Sequence, residues 1–112
     1  MLKKKNRIPA TEIREIFSGN FKNIQSDFFL LKKRENNLGT YRFAVIVSAK
    51  IYKTSVKRHQ IKRKIVSILE KINDLSGQDF VLTIKKDIAA VSAADLELDL
   101  GKILVWDIIE VN

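Results

Sequence analysis

Several residue types are scarce in this chain of 112 residues, which has no cysteine and a single histidine, His59. The absence of cysteine excludes disulfides, thiol catalysis and cysteine-ligated zinc, and it is compatible with a reducing compartment. His59 has no carboxylate near it in the sequence with which to form a metal or nucleophile cluster. The four glycines form no phosphate-binding loop. The sequence therefore indicates a protein that is not catalytic by itself.

Long apolar runs are also missing. The basic start, MLKKKNRIPATEIREIF, has no long apolar segment behind it, which argues against a secretory signal, and nothing later has the length needed to span a bilayer. We therefore expect a cytoplasmic protein that does not enter a membrane. The length predicts one domain over residues 1–112 with a modest core, preceded by a basic arm at residues 1–10.

Acidic residues are few in the first part of the chain. Residues 1–64 hold 17 Lys and Arg against 4 Asp and Glu, whereas residues 65–112 hold 4 against 9, within a formal net charge of +8. Such a concentrated positive field attracts polyanions, of which nucleic acid is the most abundant. An anionic membrane is the weaker alternative, because a membrane-binding helix needs a large exposed apolar face.

Local patterns predict the element order α-β-β-α-β-α, with an optional short strand near 50–53 between the second strand and the second helix. Thr11 is expected to cap the first helix and Gly19 to end it. The runs 26–33, 41–48 and 79–85 are strand-like, and the first two are expected to form an antiparallel pair. Together they predict an α+β sandwich of a small sheet with helices packed on it.

Two further helices follow from apolar spacing. Ser55 is expected to cap a long helix in which Ile61, Ile65, Ile68 and Ile72 form the buried stripe, with residues 73–77 ending it. Ser92 and Asp95 resemble a capping box, and leucines at helical spacing follow them in a last helix.

The second helix is unusual because its polar face is basic. Lys50 to Lys64 contains no acidic residue, and each like-charge pair such as Arg58 and Lys62 costs about 0.2–0.5 kcal/mol. The alternative is a charged face that only keeps the helix soluble. Such a face could contain acidic as well as basic residues at no cost, and this one contains no acidic residue. We therefore predict that this segment binds nucleic-acid phosphates. The residues assigned to this surface are Lys50, Lys53, Lys57, Arg58, His59, Gln60, Lys62, Arg63 and Lys64.

The stretch YRFAVIVSAKIYKTSVKRHQIKRKI resembles the bacterial ribonuclease P protein component. In that family a strand ends in a Val-Ser-Lys-Lys-like step, and the following helix carries an Arg-Asn-Arg-x-x-Lys-Arg-like motif. The residues that match these two elements are Val47, Ser48 and Lys50, then Arg58, Lys62 and Arg63. Three further stretches also resemble the family: KNR near the start of the chain, FFLL in the first predicted strand and DFVLTIK in the last one. With them the resemblance extends over nearly the whole chain. The departures are Ala49 for Lys, Tyr52 for Gly, His59 for Asn and Gln60 for Arg, so the chain resembles a divergent member.

The resemblance implies the fold and the partners. It implies a small two-layer α/β sandwich of about four strands with a left-handed β-α-β crossover. It also implies an accessory subunit that binds a catalytic RNA and the 5′ leader of precursor tRNA, with Mg²⁺ bound mainly by the RNA that performs the hydrolysis. No protein partner is expected. A cleft between the first helix and the sheet is expected to receive the leader, near Ile13, Phe17, Phe28 and Phe43.

Two other functions remain as alternatives at this point. A structural RNA-binding protein, such as a ribosomal protein, would bind RNA and affect no cleavage. An independent metal-dependent nuclease would need a ligand cluster that the sequence does not show, because Asp95, Glu97 and Asp99 are typical of a helix start.

Overall fold

The computed structural model describes residues 4–19, 22–71 and 77–111, together with the side chains of these residues except 4, 16–18 and 105–111. A 3₁₀ turn, Lys4–Asn6, precedes helix α1. The helices are α1 (Ala10–Ser18), α2 (Ser55–Leu69) and α3 (Ala93–Val111). The strands are β1 (Lys22–Gln25), β2 (Phe29–Glu35), β3 (Arg42–Ile46) and β4 (Gln78–Ile84).

The four strands form one mixed sheet in the order β1-β2-β4-β3. β1 pairs with β2 and β2 pairs with β4 in antiparallel fashion, whereas β3 and β4 are parallel. The predicted pairing of the runs 26–33 and 41–48 is therefore wrong, because β4 lies between β2 and β3. Local sequence signals favoured the pair that is adjacent along the chain, and the long connection through α2 that inserts β4 leaves no such signal.

The parallel pair makes β3-α2-β4 a β-α-β unit. Its left-handed sense remains an expectation from the family resemblance. The predicted α+β sandwich with a four-stranded sheet is confirmed, although the optional strand lies elsewhere than expected. Residues 49–51 form a turn, and the additional strand is β1, which precedes β2.

Alternate residues of β2, β3 and β4 place the main core on one face of the sheet. Phe29 and Leu31, Phe43, and Phe80 with Leu82 point to this face, where α2 and α3 cover them. The helices contribute the apolar stripes that were predicted from their spacing: Ile61, Ile65, Ile68 and Leu69 from α2, and Leu96, Leu100, Ile103 and Leu104 from α3. Burial of this apolar surface is the main stabilising contribution.

The opposite face of the sheet carries a smaller cluster. Ile8 and Val81 are buried in it, and Ile13, Ala44 and Ile46 pack against them. Since Ile13 belongs to α1, this helix lies across the sheet from α2 and α3. The fold thus has two principal layers, the sheet and the pair of helices α2 and α3, and the short helix α1 lies on the other face of the sheet.

Helix starts are close to the predicted positions but differ in two cases. Pro9, not Thr11, precedes α1, and proline is well suited to the extended conformation before a helix. Thr54, not Ser55, caps α2, because its Oγ1 accepts a hydrogen bond from the Lys57 backbone N–H at 3.2 Å. Ser92 caps α3 as predicted, accepting from the Asp95 N–H at 3.1 Å. Gly19 follows α1 as predicted. α2 ends at Leu69, earlier than predicted, and residues 72–76, which include the predicted stripe residue Ile72, lie outside the described residues.

Tyr52 anchors the connection between β3 and α2. Its ring is 4% exposed, and its hydroxyl donates to Asp87 Oδ1 at 2.9 Å and accepts from the Ile88 N–H at 2.7 Å. Burial raises the pKa of Tyr52, so the hydroxyl stays protonated at neutral pH. The side chain that replaces the family's glycine therefore belongs to the core and ties this connection to the loop after β4.

Among the described residues, no helix combines the length and apolarity that crossing a bilayer requires.

Candidate nucleic-acid interface

The exposed side of α2 carries the basic face predicted from the sequence. Lys57, His59, Gln60, Lys62 and Arg63 are exposed, while the isoleucine stripe of the same helix is buried. Helical geometry explains this separation, because positions three and four apart lie on one side of the helix. Lys50 and Lys53 are also exposed, on the connection that leads into α2. The sequence thus folds so that most of the predicted cations face outward together.

Internal carboxylates do not neutralise the centre of this face. Arg34 and Arg42 form ion pairs with Asp79, and Arg42 also pairs with Glu12. No ion pair between described residues involves Lys50, Lys53, Lys62 or Arg63. Lys57 lies near Asp87, whose pKa is lowered mainly by the Ala89 backbone N–H and to a lesser extent by Lys57.

Two of the predicted phosphate ligands have structural contacts instead. Arg58 is half-buried and its guanidinium donates to the Tyr52 carbonyl at 2.9 Å. The Lys64 ammonium donates to the Val91 carbonyl at 2.6 Å. These bonds fasten α2 to its preceding connection and to the loop before α3. Arg58 and Lys64 therefore contribute to positioning the helix, and the exposed cations beside them form the accessible surface.

A groove of about 960 Å³ lies between α2, β3, the start of α1 and the segment that precedes α1. Most of the lining residues are apolar, and they are accompanied by three basic side chains and one acidic one, Glu70. It is lined by Arg7, Ile8, Ala10, Ile13, Phe43, Ala44, Val45, His59, Lys62, Arg63, Val66, Ser67 and Glu70. A groove that combines apolar and cationic side chains suits an unpaired nucleic-acid strand, because phosphates need positive charge and bases need apolar surface.

Arg7 is a groove cation that the sequence pattern did not assign to the site. Its backbone pairs with β3 at Phe43, where the Ile8 N–H donates to the Phe43 carbonyl at 3.0 Å. Asn6 secures the segment, since its buried amide donates to the Tyr41 carbonyl at 2.8 Å and to Thr40 Oγ1 at 3.1 Å. These contacts place Arg7 opposite α2. The basic KNR was visible in the sequence, but its pairing with an edge strand was not.

Of the residues predicted for the leader cleft, Ile13 and Phe43 both line the groove, whereas Phe28 does not. Ile13 is half-buried and lines the groove, while the Phe17 side chain lies outside the described residues. Phe43 is also a core residue, since it is 2% exposed and its ring stacks on Phe80 with 4.9 Å between centroids. Phe28 packs against the main core, with Lys86 Nζ 5.2 Å from its ring centroid. Both phenylalanines thus contact the main core, and Phe43 also reaches the groove. The alternation of a strand alone did not reveal which of its faces is covered.

A buried ionic network lies beneath α1. Arg42 donates to both carboxylate oxygens of Asp79, at 2.8 and 2.7 Å, and to both oxygens of Glu12, at 3.2 Å each. Asn36 and Arg34 also donate to Asp79, at 2.8 and 3.4 Å. Hydrogen bonding to Asp79 and Glu12 raises the pKa of Arg42, so its charge is fixed. Burial opposes ionisation of Asp79, yet the hydrogen bonds from Arg42 and Asn36 outweigh it and lower the pKa of this carboxyl.

Within the part of the chain that the structure describes, no three His, Cys, Asp or Glu side chains are grouped to hold a metal ion. Asp99 instead accepts hydrogen bonds from Ser26 Oγ at 2.6 Å and from the Phe28 N–H at 3.3 Å. This carboxylate therefore ties α3 to the turn between β1 and β2.

Comparison with known proteins identifies the family. The model of the family Ribonuclease P matches residues 2–106. The chain belongs to the ribonuclease P family. This confirms the recognition made from the β3–α2 motif, and it makes the chain an RNA-binding subunit with a role in tRNA processing. No curated protein matches the chain significantly.

Solved structures of ribonuclease P proteins share the fold. The ribonuclease P protein of Thermotoga maritima is 21% identical, with a TM-score of 0.76 over 88% of this chain and 94% of that one. A Staphylococcus aureus ribonuclease P protein mutant with defective mRNA degradation activity is 18% identical, with a TM-score of 0.80 over 93% and 89% of the two chains. At these identities the likeness concerns the fold, and it covers most of both chains.

Proposed function

We propose that the chain binds the catalytic RNA of ribonuclease P through the exposed cations of α2 and its preceding connection, and holds the 5′ leader of precursor tRNA in the adjoining groove. The single observation that carries this proposal is the exposed pair Lys62 and Arg63. These two residues line the groove and, within the described residues, have no carboxylate as a salt-bridge partner. A phosphate backbone supplies the missing negative charge and releases counterions on binding.

The division between the two RNA contacts follows from the shape of the surface. Lys50, Lys53 and Lys57 lie toward the start of α2, outside the lining of the groove, where a rigid RNA surface can reach them. Lys62 and Arg63 face Arg7 across an apolar floor that includes Val45. A folded RNA helix presents phosphates on its surface, whereas an unpaired strand also offers base faces for the floor. The groove therefore suits the leader.

The protein is proposed to assist catalysis without supplying reactive groups. The RNA subunit performs phosphodiester hydrolysis with Mg²⁺ that it binds itself, and the protein stabilises the substrate complex in the cytoplasm without a protein partner. Cations on the protein lower the repulsion between RNA strands, a task that Mg²⁺ otherwise performs. The benefit of the protein should therefore be largest when Mg²⁺ is scarce.

Reconstitution tests this function. The folded protein and its cognate RNA should cleave the leader from precursor tRNA faster than the RNA alone at low Mg²⁺, with the difference shrinking at high Mg²⁺. RNA that co-purifies with the protein, once sequenced, should include the catalytic RNA. Recovery of ribosomal RNA alone would indicate the structural alternative, and cleavage by RNA-free protein would indicate an independent nuclease.

A further inference from the structure

The Glu12–Arg42 contact joins α1 to the sheet beside the groove. Arg42 is 8% exposed and lies on β3 directly opposite Asp79 of β4. Four donated hydrogen bonds leave its guanidinium between two carboxylates, one on the sheet and one on α1. Such paired geometry restricts orientation as well as distance. The contact therefore fixes how α1 lies on the sheet.

Glu12 is not needed to satisfy the buried charges. Asp79 is fully buried and already pairs with Arg42, while the Glu12 side chain is 36% exposed. Without Glu12, Arg42 keeps both bonds to Asp79, and water can reach the side that Glu12 covered. Removing Glu12 thus loosens α1 and leaves no isolated buried charge.

α1 depends on such contacts because it is short. It has 9 residues, and helices shorter than about 12–15 residues are marginal unless packing supports them. Among the described side chains of α1, Ile13 packs against the small apolar cluster on the second face of the sheet. Ala10 and Ile13 line the groove, with Glu12 between them in sequence. A change in the tilt of α1 therefore changes the width of the groove.

We propose that Glu12 is a positioning residue for the leader: its ion pair with Arg42 holds α1 as one wall of the groove. This inference rests on the proposed function, since it concerns the strand assigned to the same groove. Glu12 itself does not line the groove, so it acts through Ala10 and Ile13. The exposed cations at the start of α2 are unaffected, and binding of the catalytic RNA should not depend on Glu12.

The test compares Glu12→Gln with wild type in the reconstituted holoenzyme, using precursor tRNAs with a long leader and with a single-nucleotide leader. We expect KM for the long leader to rise about two- to fivefold, the range for a partly exposed ion pair. Affinity for the catalytic RNA and KM for the short leader should not change. Glu12→Asp, which keeps the carboxylate, should recover part of the loss.

Glu97→Gln is the matched control, because Glu97 is exposed on α3 and its loss changes the net charge equally. Removing an acid elsewhere should leave RNA binding unchanged or strengthen it, so a weaker long-leader complex cannot come from net charge. Amide exchange of α1 in the free protein should quicken in Glu12→Gln only.

An equal change of KM with both leaders, or no change with either, would overturn the inference while leaving the proposed function standing. If the wild-type protein fails to accelerate cleavage, the proposed function and the inference fall together.

Discussion

At the scale of single residues, the same side-chain type serves two purposes on α2. Arg58 and Lys64 each donate to a backbone carbonyl, whereas Lys62 and Arg63 are exposed beside the groove. A buried carbonyl that loses its donor costs about 1–3 kcal/mol, but an exposed cation without a partner contributes little to stability. Substitution of Arg58 or Lys64 should therefore lower the stability of the protein, whereas substitution of Lys62 or Arg63 should leave the stability nearly unchanged.

We predict that Lys62→Ala with Arg63→Ala weakens binding of a single-stranded leader RNA and leaves the melting temperature of the protein nearly unchanged. Each lost phosphate contact should reduce the slope of log K against log salt by about 0.7–0.9. Arg58→Ala should instead lower the free energy of unfolding by about 1–2 kcal/mol, because the Tyr52 carbonyl loses its donor. Filter binding at several salt concentrations and thermal melts measure the two effects.

Lys102→Ala provides the control, since Lys102 is exposed on α3 and lies outside the groove. Lys102→Ala should change neither the slope of log K against log salt nor the melting temperature of the protein. A large loss of stability in the Lys62 and Arg63 variant would contradict the assignment of these residues to an RNA surface.

The sequence determined the basic surface better than the role of each residue in it. Helical spacing predicted which side of α2 is buried, because a 3.6-residue period separates the two faces. It did not distinguish Arg58 from Lys62, since the carbonyl that Arg58 reaches belongs to Tyr52, and the position of that connection depends on the fold of the whole chain. Likewise, the sequence did not show that Phe43 belongs to the core as well as to the groove, because a strand alternates between two faces and the sequence does not show which one is covered.

At the scale of secondary-structure elements, β3, β4 and α1 meet in the buried network. The parallel pairing of β3 with β4 places Arg42 beside Asp79, 37 residues away along the chain. The sequence predicted β4 over 79–85 and β3 over 41–48, but it assigned β3 a different neighbour. The network was missed for that reason, because two charged residues at strand starts have no apparent relation until the strands pair.

Asp79→Asn is predicted to destabilise the protein by roughly 3 kcal/mol at neutral pH, since it leaves Arg42 buried without its main counterion. The pKa of Asp79 is lowered in the folded protein, so its stabilising contribution is complete above the ordinary value of 3.8. The contribution is lost as the pH falls through the lowered pKa, because the carboxyl then gains a proton. Denaturant unfolding measured from neutral pH down to about pH 2 follows this loss.

The acid-dependent loss of stability should be smaller in Asp79→Asn than in wild type, because the substituted amide does not titrate. Glu97→Gln is again a suitable control, being exposed on α3. Parallel pH profiles for wild type and Asp79→Asn would show that the carboxylate does not carry the acid sensitivity.

At the scale of the whole molecule, the charge asymmetry of the sequence becomes a spatial one. The basic excess of residues 1–64 reaches the surface on α2 and in the segment before α1, and the acids of α3 lie on a different helix. Had the acids of the second half neutralised α2, the prediction of an RNA partner would have failed. Sequence composition predicted the partner because long-range attraction depends on net charge, whereas the groove depends on how three separate segments meet.

RNA binding should stabilise the entire fold in a salt-dependent way. A ligand that binds only the folded protein adds about 2.7 kcal/mol at a hundred times its Kd. We therefore expect the catalytic RNA to raise the melting temperature at low salt, and we expect the shift to vanish as salt competes for the phosphates. Scanning calorimetry with the catalytic RNA and with an unrelated RNA of equal length measures the shift, which should be smaller for the unrelated RNA. A triple variant with alanine at Lys50, Lys53 and Lys57, the exposed cations outside the groove, should lose most of it, and Lys102→Ala should keep it. A shift that is independent of salt would show that the complex is not held by the phosphate contacts of the basic face.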